Sequence, residues 1–240
     1  NISRLQDLGG LPVSWSFSPQ GPESTREVQY YLKSHQDAIH NIWNHYLECY
    51  YLAGVHPRNI CKDLRPEKIR ELVLPFLEDS LCLGIGEIGL EKAVNQEIEV
   101  LHAHLEMASE VADRGKIFGI HTPRGKKEEV TVKILELLDP FSEFKSNIVV
   151  DHCTQKTIDS VLDAGYWAGI TLSPVKSGIE DVEVILGAHK DKVERIMLNT
   201  DSVVELYDDL LQFWSESKLA EESKSKLLRD NPGLFFGIVS

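Results

Sequence analysis

Apolar residues in this chain gather in short runs, separated by longer stretches in which they recur every three to four positions. The runs fall at 11–18, 50–56, 82–88, 116–122, 147–153, 166–173 and 195–201. Most are continuous rather than alternating, the pattern of parallel strands covered on both faces. Between them the spacing predicts helices over 24–46, 66–77, 97–113, 127–138, 155–164, 179–189 and 203–215. Pro66 suits a first helical turn. In the 97–113 helix Ile98, Leu101, Leu105, Ala108 and Ala112 share one face. The polar stretch 215–230 reads as a solvated helix.

Strand-helix alternation predicts βαβ units and a parallel sheet. Seven strands are visible, and a closed parallel barrel needs about eight. Residues 2–8 read as the tail of a helix leading into the first visible strand. The expected fold is therefore an α/β (β/α)8 TIM-type barrel with seven of its eight strands present and the first lying upstream of Asn1. No linker or low-complexity segment interrupts the pattern, so residues 1–240 are expected to form a single domain. The edge beside the 11–18 strand would need cover from an upstream segment or a partner.

Parallel α/β barrels carry their chemistry where the strands end. Four runs end in residues of metal-ligand type: Glu87, His121, His152 and Asp201. Each has an ordinary explanation alone. Glu87 could cap a turn, the histidines could be hydrogen-bonded core residues, and Asp201 could cap the helix after it. Four at matching positions favour a site. Imidazoles and carboxylates suit one or two divalent ions such as Zn, Mg or Mn. Glu87 could bridge two ions with His121 and His152 on one side, and Asp201 could bind an ion and accept the proton of the attacking water. Asp201 and Glu87 are thus the candidate catalytic residues, and Glu87, His121, His152 and Asp201 the candidate metal ligands. Arg124, in a proline-containing loop three residues after His121, could bind an anionic substrate group or be a solvated loop arginine. Asp151 precedes His152 and, on a regular strand, would face the other way, as a supporting or packing residue. His102 and His104 lie two apart on a helix and point in different directions, so they read as surface or partly packed residues. His35, His40 and His45 hold no common helical face.

The net charge of −13 argues against long nucleic acid as substrate. A small-molecule or nucleotide-like substrate stays open, since bound ions would supply positive charge. The four cysteines have no C-x-x-C spacing and are expected to be reduced, in a cytoplasmic protein. Cys153, beside His152, is a weaker candidate as ligand or nucleophile. No apolar run is long enough for a membrane span, and no signal peptide is visible.

Six stretches carry a family resemblance: Gly54-Val-His-Pro57, Gly84-Ile-Gly-Glu-Ile-Gly-Leu-Glu91, Ile120-His-Thr-Pro-Arg124, Asp151-His152, Asn199-Thr-Asp201 and Asn231-Pro-Gly-Leu-Phe-Phe236. In this order they resemble the TatD family of metal-dependent hydrolases, within the amidohydrolase-like barrels. The segments at 121–124 and 166–174 look closer to a divergent branch than to the nuclease-like members. The resemblance implies that Glu87 is shared between metals and that His121 and His152 bind the second. It also implies that Asp201 lies near the first metal and the water, and that His56 lies close to the substrate phosphate. The family's His-x-His pair on the first strand is absent from this chain. The expected activity is hydrolysis of phosphate ester, phosphodiester or related bonds by a metal-activated water. The alternative is a non-catalytic barrel with a partial metal site that binds a small ligand or protein partner.

Overall fold

All seven predicted strands form, but only the middle of most runs enters a ladder. The computed structural model describes residues 11–201 and 208–238. By its internal contacts the chain divides into two compact units, Asn1–His121 and Thr122–Ser240. The helix tail expected at 2–8 lies outside the described residues.

In the first unit β1 (Val13–Trp15), β2 (Tyr50–Leu52), β3 (Cys82–Gly89) and β4 (Ile117–His121) pair in parallel in chain order. Between β1 and β2 runs α1 (Thr25–His45), with Ser24 as its N-cap: the Ser24 hydroxyl accepts the Glu27 N–H, satisfying a donor the helix start would leave unpaired. Val28, Leu32 and Ile39 of α1 are buried, as its helical spacing requires. The predicted 66–77 helix is broken. Only α2 (Ile69–Val73) is α-helical, between 3-10 turns Pro66–Lys68 and Leu74–Glu78. Pro75 explains the second break, since it lacks an N–H and its ring crowds the preceding turn. The 97–113 helix divides into α3 (Asn95–Leu105) and α4 (Ala108–Asp113). At the junction Met107 N–H bonds to the His104 carbonyl three residues back, tightening the turn.

In the second unit come α5 (Lys127–Leu138), β5 (Ile148–Val150), α6 (Ile158–Asp163), β6 (Trp167–Leu172), α7 (Ile179–Ala188) and β7 (Ile196–Thr200). They are followed by α8 (Asp208–Glu216), α9 (Glu221–Ser225) and α10 (Asn231–Phe236). β5, β6 and β7 pair in parallel, again in chain order. The helix expected from 203 begins outside the described residues. The polar 215–230 stretch is not a solvated helix throughout. Leu227 is fully buried and Lys224 is buried with its Nζ donating to the Trp214 carbonyl.

Strand residues fill the interior of each unit. Tyr51, Leu52, Ile85, Ile88 and Phe118 are fully buried in the first, and Ile148, Val150, Ile170 and Ile196 in the second. Each contributes roughly 1.5–3 kcal/mol relative to exposure. The apolar run after β2 leaves the strand at Ala53 yet stays buried through His56, so this histidine is delivered by a packed segment rather than a surface loop.

Candidate active site

Glu87 sits near the end of β3, His121 is the last residue of β4, and His56 lies four residues beyond β2. Ligand atoms of these three side chains all lie within 4.8 Å of one another. His121 Nδ1 is 2.9 Å from Glu87 Oε1, and its Nε2 is 3.0 Å from Glu91 Oε2. Burial alone would lower the pKa of His121, but the carboxylates of Glu87 and Glu91 outweigh it and hold the imidazole above its ordinary value. The His121 hydrogen bond in turn pulls Glu91 below the usual carboxylate range, against burial and with help from Arg58. Arg58 Nε stands 3.9 Å from Glu91 and its guanidinium lies 4.6 Å from the Phe17 ring centre. Two strands approach closely here because of Gly89. Its φ is +150°, and a Cβ there would come 2.3 Å from the His121 carbonyl oxygen.

His56 is buried and edge-on to His121, with ring centres 4.4 Å apart. Burial pushes its pKa down to about 3, against the upward pull of Glu87. The ring is therefore neutral at pH 7. Its Nδ1 accepts the Arg58 backbone N–H at 3.0 Å, which leaves the ring proton on Nε2. That Nε2 is 3.6 Å from Glu87 Oε2 and makes no hydrogen bond. An orphaned buried donor aimed at a carboxylate cluster is costly unless something completes it. His56 thus presents an N–H rather than a lone pair. The segment leading to it is fixed by His104, which is fully buried rather than at the surface: its Nε2 accepts the Val55 N–H at 3.2 Å.

The second unit builds a different cluster. His152 lies two residues past β5 with φ of +60°, a conformation uncommon for a residue with a Cβ. It is held there from three sides. Asp151 Oδ1 accepts the His152 N–H at 2.7 Å, Lys127 Nζ donates to the His152 carbonyl at 2.8 Å, and Thr171 Oγ1 is 2.6 Å from Nδ1. Asp151 is a positioning hub, as its Oδ1 also accepts from Asn199 Nδ2 at 2.8 Å. Lys176, in the loop after β6, reaches both expected ligands of this unit. Its Nζ lies 2.8 Å from His152 Nδ1 and 3.0 Å from Nε2, and it is paired with the Asp201 carboxylate. Asp201 directly follows β7 and is about half exposed.

Arg124 lines a cavity of about 820 Å³. Lys126, Lys127, Lys156, Lys176 and His152 also line it, as do Glu128, Glu129 and Asp181. Cys153 is no nucleophile, since burial lifts its thiol to about 12. All four cysteines are free and buried. Glu91 and Lys176 were not singled out from sequence. Glu91 stood in the Gly84–Glu91 stretch without a role, and Lys176 gave no signal beyond its place two residues after Pro174.

A model of the family described as TatD related DNase matches residues 16–203. The chain belongs to this family. An uncharacterized metal-dependent hydrolase of Methanocaldococcus jannaschii is 30% identical over 122 residues. That match covers 51% of this chain and 46% of the relative, so this TatD-related chain spans about half the length of the curated protein it matches. A solved TatD-like protein of Archaeoglobus fulgidus is 28% identical, with a TM-score of 0.75 over 99% of this chain and 94% of that one. A 2,6-dihydroxybenzoate decarboxylase from Rhizobium superposes with a TM-score of 0.64 over 98% and 87% of the two chains at 13% identity, a likeness of fold alone. The fold class is accordingly a TIM-type α/β barrel, with seven parallel strands among the described residues, in a family of metal-dependent hydrolases. Among the described residues no helix is long and apolar enough to cross a membrane.

Proposed function

We propose that this TatD-related chain hydrolyses a phosphate ester or phosphodiester bond in a small or nucleotide-like substrate, with a divalent ion held by Glu87 and His121. The observation that carries the reading is the convergence of Glu87, His121 and the orphaned His56 Nε2 at the strand ends. A carboxylate and an imidazole are a donor set suited to Zn, Mg or Mn. Glu91 then serves as the outer carboxylate that fixes the imidazole ring, an arrangement common around ligating histidines. When bound, such an ion polarises the phosphoryl group and acidifies a water.

The remaining roles belong to the chain. His56 donates its Nε2 proton in a hydrogen bond to a phosphoryl oxygen, which satisfies the donor that has no partner in the free site. Arg124, at the edge of the cationic cavity, binds a further anionic group. Asp201 accepts the proton of the attacking water, and Glu87 holds the reacting group in place by holding the ion. The cavity's five cationic side chains against three carboxylates, in a chain of net charge −13, support an anionic substrate of modest size over long nucleic acid. The four unpaired cysteines support a cytoplasmic location.

A second reading keeps the barrel but not the catalysis, with a small ligand or protein bound at a partial site. The contact of Lys176 with both His152 and Asp201 favours it. Metal analysis of the chain, paired with hydrolysis of p-nitrophenyl phosphate, bis-p-nitrophenyl phosphate and a short oligonucleotide, separates the two. Metal-dependent turnover of any phosphoester supports the hydrolase. No turnover on any ester or amide moves the balance to the binding protein.

A further inference from the structure

We propose that Lys176 is a built-in cation for His152 and Asp201, its ammonium standing against both side chains and excluding a divalent ion from them. The lysine is not a loose surface residue. Its side chain is only 12% exposed, while its Asp201 partner is 47% exposed. The loop that bears it is tied back to β6: Lys176 N–H bonds to the Ser173 carbonyl at 3.2 Å, Ser177 N–H to the Thr171 carbonyl at 3.2 Å, and Ser173 N–H to the Ser177 carbonyl at 3.3 Å.

Its target is fixed as well. Thr171 and Asp151 brace the His152 ring and backbone N–H, and Lys127 holds its carbonyl. The backbone is thus pinned on both sides, and turning the imidazole away from the ammonium would break its Nδ1–Thr171 contact. Charge completes the argument. A divalent ion seated beside an ammonium would meet strong like-charge repulsion even at an intermediate dielectric. The cavity suits an anion, and a second ion could enter only by displacing the lysine. The inference rests on the Glu87–His121 reading only for its baseline, the ion bound by the wild type.

The test counts Mn²⁺ bound per chain by equilibrium dialysis, using the wild type, Lys176→Met, and Lys176→Met combined with Asp201→Asn. Lys176→Met should gain about one ion over wild type, because removing the cation frees two donors of the right chemistry. The gain should disappear in the double variant. An unchanged count in Lys176→Met overturns the proposal. A wild type that binds no ion defeats the Glu87–His121 reading, while the gain in Lys176→Met still decides this one. A second measurement needs no variant. Acetylation of Lys176 by acetic anhydride, followed by mass spectrometry on intact wild type, should change less than about twofold when Mn²⁺ is saturating. A rise of about tenfold would show the ammonium yielding to the ion and would overturn the proposal.

Discussion

The two histidine-carboxylate clusters use the same residue types and are completed in different ways. Around His121 one imidazole lies between two carboxylates, and the Arg58 guanidinium stands 3.9 Å from Glu91. Around His152 a lysine ammonium contacts the imidazole and pairs with Asp201. The first cluster sets one imidazole between two carboxylates and leaves an unsatisfied buried donor in His56. The second brings its own cation. A histidine or carboxylate at a strand end therefore specifies little until the loops around it are known, because the neighbours decide whether it presents a lone pair, a proton or a completed ion pair.

The largest expected effect comes from Asp201. If it accepts the water proton as well as pairing with Lys176, Asp201→Asn should lower kcat on a phosphoester by about 10²–10⁴-fold. Metal content should fall less than in His121→Ala. Full activity in the variant would confine Asp201 to the structural pair.

Next comes Glu91, which belongs to the first cluster only. Glu91→Gln keeps the shape but removes the charge that orients His121, and should weaken divalent-ion affinity by about 10–100-fold. Titration with Mn²⁺ reads this directly. An unchanged affinity would mean that the hydrogen bond to His121 is decorative.

The second cluster can be broken from behind. A Cβ on Gly169 would come 2.3 Å from Asp151 Oδ1, the atom that anchors His152. Gly169→Ala should cost about 1–3 kcal/mol by overpacking, read as a lower midpoint in urea. Wild-type stability would show that Asp151 can shift without loss.

The smallest effect is a pH dependence tied to the first cluster. Burial lowers His104 from 6.5 to about 4, so protonation favours the unfolded chain. Its contribution is complete above pH 6.5 and is lost as the pH falls toward 4. Between pH 6.5 and about 5.5 the loss should be about 1 kcal/mol. His104→Gln should flatten that slope in urea titrations at the two pH values, and an equal slope in both proteins would contradict the assignment.

Much of the frame was legible in the residue pattern. Continuous apolar runs marked all seven strands, and the 127–138 helix coincides with Lys127–Leu138, because burial on one face forces the helical period wherever the element lies. Ser24 was readable as the start of α1 for the same local reason. Other breaks were less so. Pro75 splits the 66–77 stretch by its own covalent chemistry, yet the pause between α3 and α4 carries no proline or glycine and depends on how the chain packs. At the site, the strand-end positions of Glu87, His121, His152 and Asp201 were visible because each closes an apolar run.

What sequence alone determined was the order of elements and the residue types available where strands end. Both follow from local periodicity, which needs no knowledge of distant neighbours. Only the tertiary structure decided that His104 is buried, that His56 carries its proton on Nε2, that Glu91 backs His121, and that Lys176 sits on His152 and Asp201. Each depends on a contact between residues remote in the chain or on a loop conformation, such as Val55 meeting His104 forty-nine positions away. Protonation and charge state follow from burial and from those contacts, so the chemistry of the strand ends is set by the fold that assembles them.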